Sequence, residues 1–189
     1  MLRCACLLLA AFLLAACGPS AGDTAKGGDS MHDFPLTSTA FAANQPIPIK
    51  YTGDGADLSP PLAWSGTPAG AKCFALIVDD PDAPTDEPWV HWVLFNIPAE
   101  ARALPEALDK SPGLANLPGA AQGQNSFAKT GWNGPSPPKG HGTHHYHFKL
   151  YALDAPLAIP ASATKAQLLA AMQGHILAQS ELIGTYERK

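Results

Sequence analysis

The sharpest alternation of apolar and polar positions runs through Thr143–Leu153, THHYHFKLYAL. Successive side chains of a strand point to opposite faces. His144, Tyr146, Phe148 and Leu150 therefore share one face, and His145, His147 and Lys149 the other. The first face is apolar from Phe148 onward, so it points at a core. His144 and Tyr146 sit at its loop end, where they can look into a cavity. A Pro/Gly loop precedes them and can offer the backbone N–H groups of Lys139, Gly140 and Gly142. Cys73–Asp79 is an apolar run expected to form a central strand covered on both faces. Trp89–Ile97 is the next strand, with His91 alone among apolar neighbours. Shorter strands are expected at Phe34–Ala40, Pro46–Tyr51 and Leu62–Trp64, with a closing strand at Glu181–Glu187. One helix is predicted over Thr164–Ile176. Thr164 and Gln167 form a capping box, Leu168, Leu169, Met172 and Ile176 give the apolar face, and Gly174 weakens the last turn. Ala99–Leu108 holds a helical turn. Ser111–Pro138, rich in Gly, Pro, Asn and Ser, is a long loop tacked down by Phe127 and Trp132, and loops of that length tend to be functional. Many strands followed by a late helix predict an antiparallel sheet or sandwich with a peripheral helix.

Composition supports a β-rich domain. The chain has 189 residues, 46% of them apolar, with 19 Pro and 17 Gly. That length allows one domain with a real core, and so many turn formers argue against long helices. A net charge of −4 without a Lys/Arg cluster excludes nucleic acid as a partner. The N-terminus reads as a targeting signal: Met1-Leu2-Arg3, then an apolar run, then Leu14-Ala15-Ala16-Cys17. This resembles the lipobox of bacterial lipoproteins, which implies a signal peptide over 1–16 and lipidation at Cys17. The expected organisation is that signal, a small polar tether over 17–33 and a domain over 34–189. The expected location is the bacterial cell envelope, lipid-anchored at the periplasmic face of the outer membrane. Cleavage would leave Cys73 as the one unlipidated thiol, inside an apolar strand, where it acts as a small hydrophobe.

The candidate chemistry lies where two strand ends meet. His91 stands in apolar company and needs a hydrogen-bond partner, for which the nearest carboxylates in sequence are Asp79, Asp80 and Asp82. The working expectation is a single pocket holding His91, His144, Tyr146 and a carboxylate. The aspartates can equally make Asx-turns beside their prolines.

Three blocks carry a resemblance. Asp80-Pro81-Asp82-Ala83-Pro84, Trp89-Val90-His91-Trp92 and Pro137-Pro138-Lys139-Gly140-His141-Gly142-Thr143-His144-His145-Tyr146 resemble the signatures of the phosphatidylethanolamine-binding protein family, closest to its bacterial Raf-kinase-inhibitor-like branch. The match covers about residues 34 to 188. It implies a mainly β fold, a two-sheet antiparallel sandwich with peripheral helices, and a small anion pocket for phosphate-like groups or phosphoethanolamine headgroups. The pocket residues carried over are Asp80, Asp82, Pro84, Trp89, His91, Pro137, Pro138, His144 and Tyr146. Where the family has Arg between the last two, this chain has His145, on the opposite strand face. Asp80 is cast as the group that orients a histidine, and it also suits an ammonium. A carboxylate repels phosphate unless histidine is protonated, so binding is expected to weaken above about pH 7.

The expected function is thus a lipid-anchored binding protein for a phosphate-bearing small molecule or phospholipid headgroup, with a regulatory role open. It touches the membrane through its N-terminal lipid; no cofactor is implied and no protein partner is identified. Three alternatives stand beside it. The dense histidines His141, His144, His145 and His147 suggest zinc, but neighbours in a strand diverge. Ser126 or Ser136 with His and Asp suggests a hydrolase, but no nucleophile elbow is present. The third is an inhibitor of a protease or other enzyme acting through the same surface.

Overall fold

In the computed structural model, which describes residues 34–189, the three long apolar stretches lie side by side. The strands in chain order are β1 (Leu36–Thr37), β2 (Gln45–Pro46), β3 (Leu62–Trp64), β4 (Cys73–Asp80), β5 (Trp89–Pro98), β6 (Ala103–Leu104), β7 (Ala121–Gln122), β8 (Thr143–Leu153) and β9 (Ile176–Glu187). The helix α1 is Lys165–Met172. A six-stranded sheet has the order β2-β9-β8-β4-β5-β7, and a three-stranded sheet the order β1-β3-β6. All pairings are antiparallel except that of β2 with β9, which is parallel. The expected signal segment, Cys17 and the tether lie outside the described residues.

Every residue of β4 is buried, as a central strand covered on both faces requires. One face, with Phe74, Leu76 and Val78, packs with Phe148 and Leu150 of β8 and with Leu62, Trp64 and Leu104 of the small sheet. The other, with Cys73, Ala75 and Ile77, packs with Val93, Phe95 and the helix residues Leu168 and Met172. Burial pushes the Cys73 thiol up to about 11, so it has little thiolate character.

Several elements differ from expectation, each for a local reason. The helix stops at Met172 and does not reach Ile176. Its capping box forms as expected, with Gln167 Oε1 accepting from the Thr164 N–H at 2.9 Å. Gly174 then adopts φ +79°, a left-handed turn in which a residue with a Cβ is strained. The chain reverses, and Ile176 opens β9, which is longer than the expected Glu181–Glu187. Of the expected apolar helix face only Leu168 and Met172 are buried; Leu169 and Ile176 are exposed. Pro46–Tyr51 is a strand only at its start, because Pro46 and Pro48 have no N–H for a ladder, and Ile49–Tyr51 forms a 3-10 turn. Ala99–Leu108 is not helical: Ala103–Leu104 completes the small sheet with Leu104 buried.

Candidate functional site

The inner face of the large sheet changes character at one end. Core residues give way to Asp80 on β4 and to Tyr146 and His144 on β8, all on the face that carries Val78 and Phe148. Alternation splits the adjacent carboxylates. Asp79 turns to the opposite face, where Lys149 Nζ lies 2.8 Å from Oδ1 and Lys165 Nζ 2.5 Å from Oδ2. Burial by itself would raise this carboxyl, but the two ammonium groups outweigh it and hold it below the usual carboxylate range. Asp79 therefore clamps β8 and α1 to β4 and takes no part in the site.

His91 arrives by a different route. In the β4–β5 ladder Val78 pairs with Trp92 and Asp79 with Val90, so His91 is an extra residue on β5. Such a bulge re-aims side chains. It puts His91 beside Tyr146 of β8, with ring centroids 5.1 Å apart and nearly perpendicular. The expected carboxylate partner is not the one found. His91 Nδ1 lies 2.6 Å from the Asn133 carbonyl oxygen. A carbonyl only accepts, so Nδ1 carries the proton, and the lone pair of the neutral ring is on Nε2. Burial drives the His91 pKa below its ordinary value, against the pull of Asn133 and of the Asp80, Asp79 and Asp57 charges. The ring is thereby held in its neutral form near pH 7.

Asn133 is itself fixed by Asn125, a buried residue in the long loop. Asn125 Nδ2 donates to Gly131 O and Asn133 Oδ1, each at 2.9 Å, while its Oδ1 accepts from the N–H groups of Phe127 and Lys129. Sequence reasoning missed both asparagines; the one signal was the unusual length of that loop.

Asp80 uses both oxygens. Oδ1 accepts from the Asp82 N–H at 2.9 Å, an Asx-turn, and Oδ2 from His144 Nδ1 at 2.7 Å. The turn and the orienting contact thus coexist. His144 Nε2 meets Nδ1 of His141 at 2.8 Å, a partner not anticipated. Of the three loop amides expected to be on offer, that of Gly140 donates to Arg188 O.

These groups line a cavity of about 250 Å³. Of the predicted residues, Asp80, Pro84, Trp89, His91, Pro137, Pro138, His144 and Tyr146 are in its wall. Asp82 is not. Its Oδ2 accepts from the His145 N–H and pairs with His145 Nδ1, at 2.8 and 2.7 Å, which staples the β4–β5 loop to the outer side of β8. Ala83, Thr85, Phe127 and Ser136 complete the wall. The Tyr146 hydroxyl is fully buried and has no partner at hydrogen-bond distance and angle, although the Asp80 carboxylate lies near enough to act on it. Burial first and the nearby Asp80 charge second push its pKa far above the ordinary phenol value, so it keeps its proton. Of the dense histidines only His141 and His144 meet; His145 bonds Asp82 and His147 bonds Glu181. Among the described residues no three His, Cys, Asp or Glu side chains group as a metal site.

The family profile described as Phosphatidylethanolamine-binding protein matches residues 37–187. The chain belongs to the phosphatidylethanolamine-binding protein family. Among proteins similar to this chain, a UPF0098 protein of Methanothermobacter thermautotrophicus is 47% identical over 81% of this chain and 98% of its own length. A UPF0098 protein of Pyrococcus abyssi is 44% identical over 86% of this chain and 89% of its own. Solved structures agree on the fold. A phosphatidylethanolamine-binding protein homologue from Chlamydia trachomatis superposes with a TM-score of 0.75 at 41% identity, covering 83% of this chain and 99% of that one. E. coli YbcL, described as a member of the mammalian family, gives 0.78 at 34% identity, covering 84% and 100%. None of these four descriptions names an enzymatic reaction.

Proposed function

We propose that this family member binds phosphate-bearing small molecules, with phosphoethanolamine-type headgroups as the natural class, in the cavity between Asp80, His91, His144 and Tyr146. The observation that carries the reading is the Tyr146 hydroxyl. A buried O–H without a partner costs about 1–3 kcal/mol, and a ligand oxygen in the adjoining cavity would recover that cost. Asp80 keeps a lone pair on each oxygen for an ammonium, and Trp89 and Phe127 offer aromatic faces to the same group. A cavity of about 250 Å³ suits a headgroup rather than a whole lipid. On this reading the protein is a lipoprotein of the Raf-kinase-inhibitor-like branch, anchored through Cys17 to the periplasmic face of the outer membrane. There it would sample headgroups or headgroup-like metabolites as a regulator.

The hydrolase reading draws on Ser136, which lines the same cavity. It is weaker, because the His144 Nε2 that would serve a nucleophile is engaged by His141. Ser126 is no better, since its hydroxyl accepts from the Val90 N–H.

Calorimetry with phosphoethanolamine on the full chain tests the proposal. Wild type is expected to bind, and Tyr146→Phe to bind about tenfold more weakly, the worth of one buried hydrogen bond. Equal affinity in the two proteins would overturn the assignment. Cys17→Ala, followed by membrane fractionation, tests the anchor separately.

A further inference from the structure

The cavity wall contains no Lys or Arg, and its one fixed charge is the Asp80 carboxylate. A phosphate site with that charge needs a source of positive charge or of donors. Both imidazoles have committed their Nδ1 atoms to oxygen acceptors: His91 to Asn133 O, and His144 to Asp80 Oδ2. In the neutral rings each Nε2 is therefore a lone pair, which repels an anionic oxygen. His144 Nε2 already faces His141 Nδ1. His91 Nε2 has no partner among the described residues. At rest the cavity thus presents acceptors at Asp80 and His91, and its donors are the neutral Tyr146 O–H, the Ser136 hydroxyl and the Trp89 indole N–H, none of which carries positive charge.

We propose that this cavity takes up a phosphate-class anion only together with a proton, held between the anion and His91 Nε2. The inference rests on the headgroup reading above and specifies the protonation state of the ligand. The balance is simple. A phosphate or phosphomonoester monoanion enters with its own P–O–H, which donates to Nε2. If the proton crosses, the complex is a dianion beside an imidazolium with the same total charge. A dianion entering instead must draw one proton from solvent onto Nε2. No oxidant, metal or leaving group is involved.

The surroundings support this direction. The charged groups that act on His91 are Asp80 on its own side of the sheet, Asp57 from the loop before β3 and, through the sheet, Asp79; all favour an added proton on the ring. The phenol of Tyr146 on β8 faces it as a neutral donor. Burial keeps the ring neutral until the anion arrives. Around His144 stand Asp80, Asp82 and His141, with Tyr186 as its cross-strand neighbour. Asn133 and Asn125 fix the His91 tautomer, so they act as positioning residues for the proton site.

The test is calorimetry on the wild-type full chain with inorganic phosphate and with sulfate, at about pH 6 and about pH 8, each in buffers of different ionisation heat. Phosphate is expected to take up close to one proton at the higher pH and much less at the lower. Its affinity should fall roughly tenfold per pH unit across the upper range. Sulfate, which brings no proton at either pH, should take one from the buffer at both and bind at least about tenfold more weakly than phosphate at pH 7, since it cannot donate to Nε2. Phosphate binding without buffer-dependent heat, or equal affinity for the two anions at the higher pH, overturns the proton coupling and leaves the headgroup reading intact. Failure of phosphate and of phosphoethanolamine to bind at either pH overturns both. A ligand-free arm uses 15N NMR of the histidines: His91 is expected as the Nδ1–H tautomer near pH 7, and an Nε2–H tautomer would overturn the proposal by itself.

Discussion

His91 and Trp92 are consecutive in β5, yet both rings pack against Trp132, at centroid separations of 6.3 and 5.8 Å. Regular alternation would send one of them to the helix side of the sheet. The bulge opposite Val78–Asp79 brings both to the inner face. A titratable ring is thereby placed in a dry setting against a carbonyl, and this has consequences for stability as well as for binding.

Acid should weaken the fold through His91 before it does so through any carboxylate. The folded ring titrates below its ordinary value, while the unfolded chain titrates near pH 6.5. The unfolded state therefore binds more protons as pH drops under about 6.5, and stability is full above that pH and lost toward the folded value, at up to about 1.4 kcal/mol per pH unit. Thermal melts followed by circular dichroism should show a falling midpoint between about pH 7 and pH 5. His91→Phe should flatten that slope; an unchanged slope would assign the effect to another group.

Asn125→Ala should destabilise the protein by about 2–3 kcal/mol, since it strips partners from buried backbone groups of the loop. The loss should be local as well as global. Hydrogen exchange over 125–133 should accelerate more than exchange in β4 or β8. Uniform acceleration would make Asn125 an ordinary packing residue.

Asp79→Asn should cost about 2 kcal/mol. Breaking a fully buried ion pair costs about 3–5, discounted here because Lys149 and Lys165 are partly exposed and can turn to water. The wild-type carboxyl is held below its unfolded value, so its contribution is present above about pH 4 and lost as pH falls further. That window lies below the one for His91, and urea titrations at about pH 7 and pH 3 should find wild type and variant converging at the lower pH. A constant gap would argue against the ionic account.

Tyr146→Phe should be neutral or stabilising by up to about 1 kcal/mol in the absence of ligand, because the hydroxyl it removes has no partner. Urea denaturation measures this directly. Destabilisation beyond about 1 kcal/mol would mean that the hydroxyl is satisfied in solution, and would remove the main support for the binding site.

Much of this architecture is legible in the amino acids. The β8 alternation placed His144 and Tyr146 on the core face, and the apolar run of β4 announced a doubly covered strand. Local patterns carry such information because each residue reports its own exposure. The same patterns misplaced the end of α1, where Leu169 and Ile176 have apolar side chains in exposed positions and Gly174 decides the turn. They could not give the partner of His91, because a backbone carbonyl has no sequence signature and the search fell on nearby carboxylates. The resemblance carries Asp82 over into the pocket with Asp80, although its bond to His145 takes it outside the cavity wall. The contact of His141 with His144 is not legible because it depends on the path of a glycine loop, with Gly140 and Gly142 both at positive φ.

Asp79 and Asp80 give β4 a strict count. One residue added or removed between Cys73 and Asp80 would exchange the two acids, setting the lysine-bound one against His144 and leaving the other beneath the helix. Loops elsewhere can change length without touching either duty. This strand cannot, and its span is the ruler that keeps the clamp behind the sheet and the hollow in front of it in step.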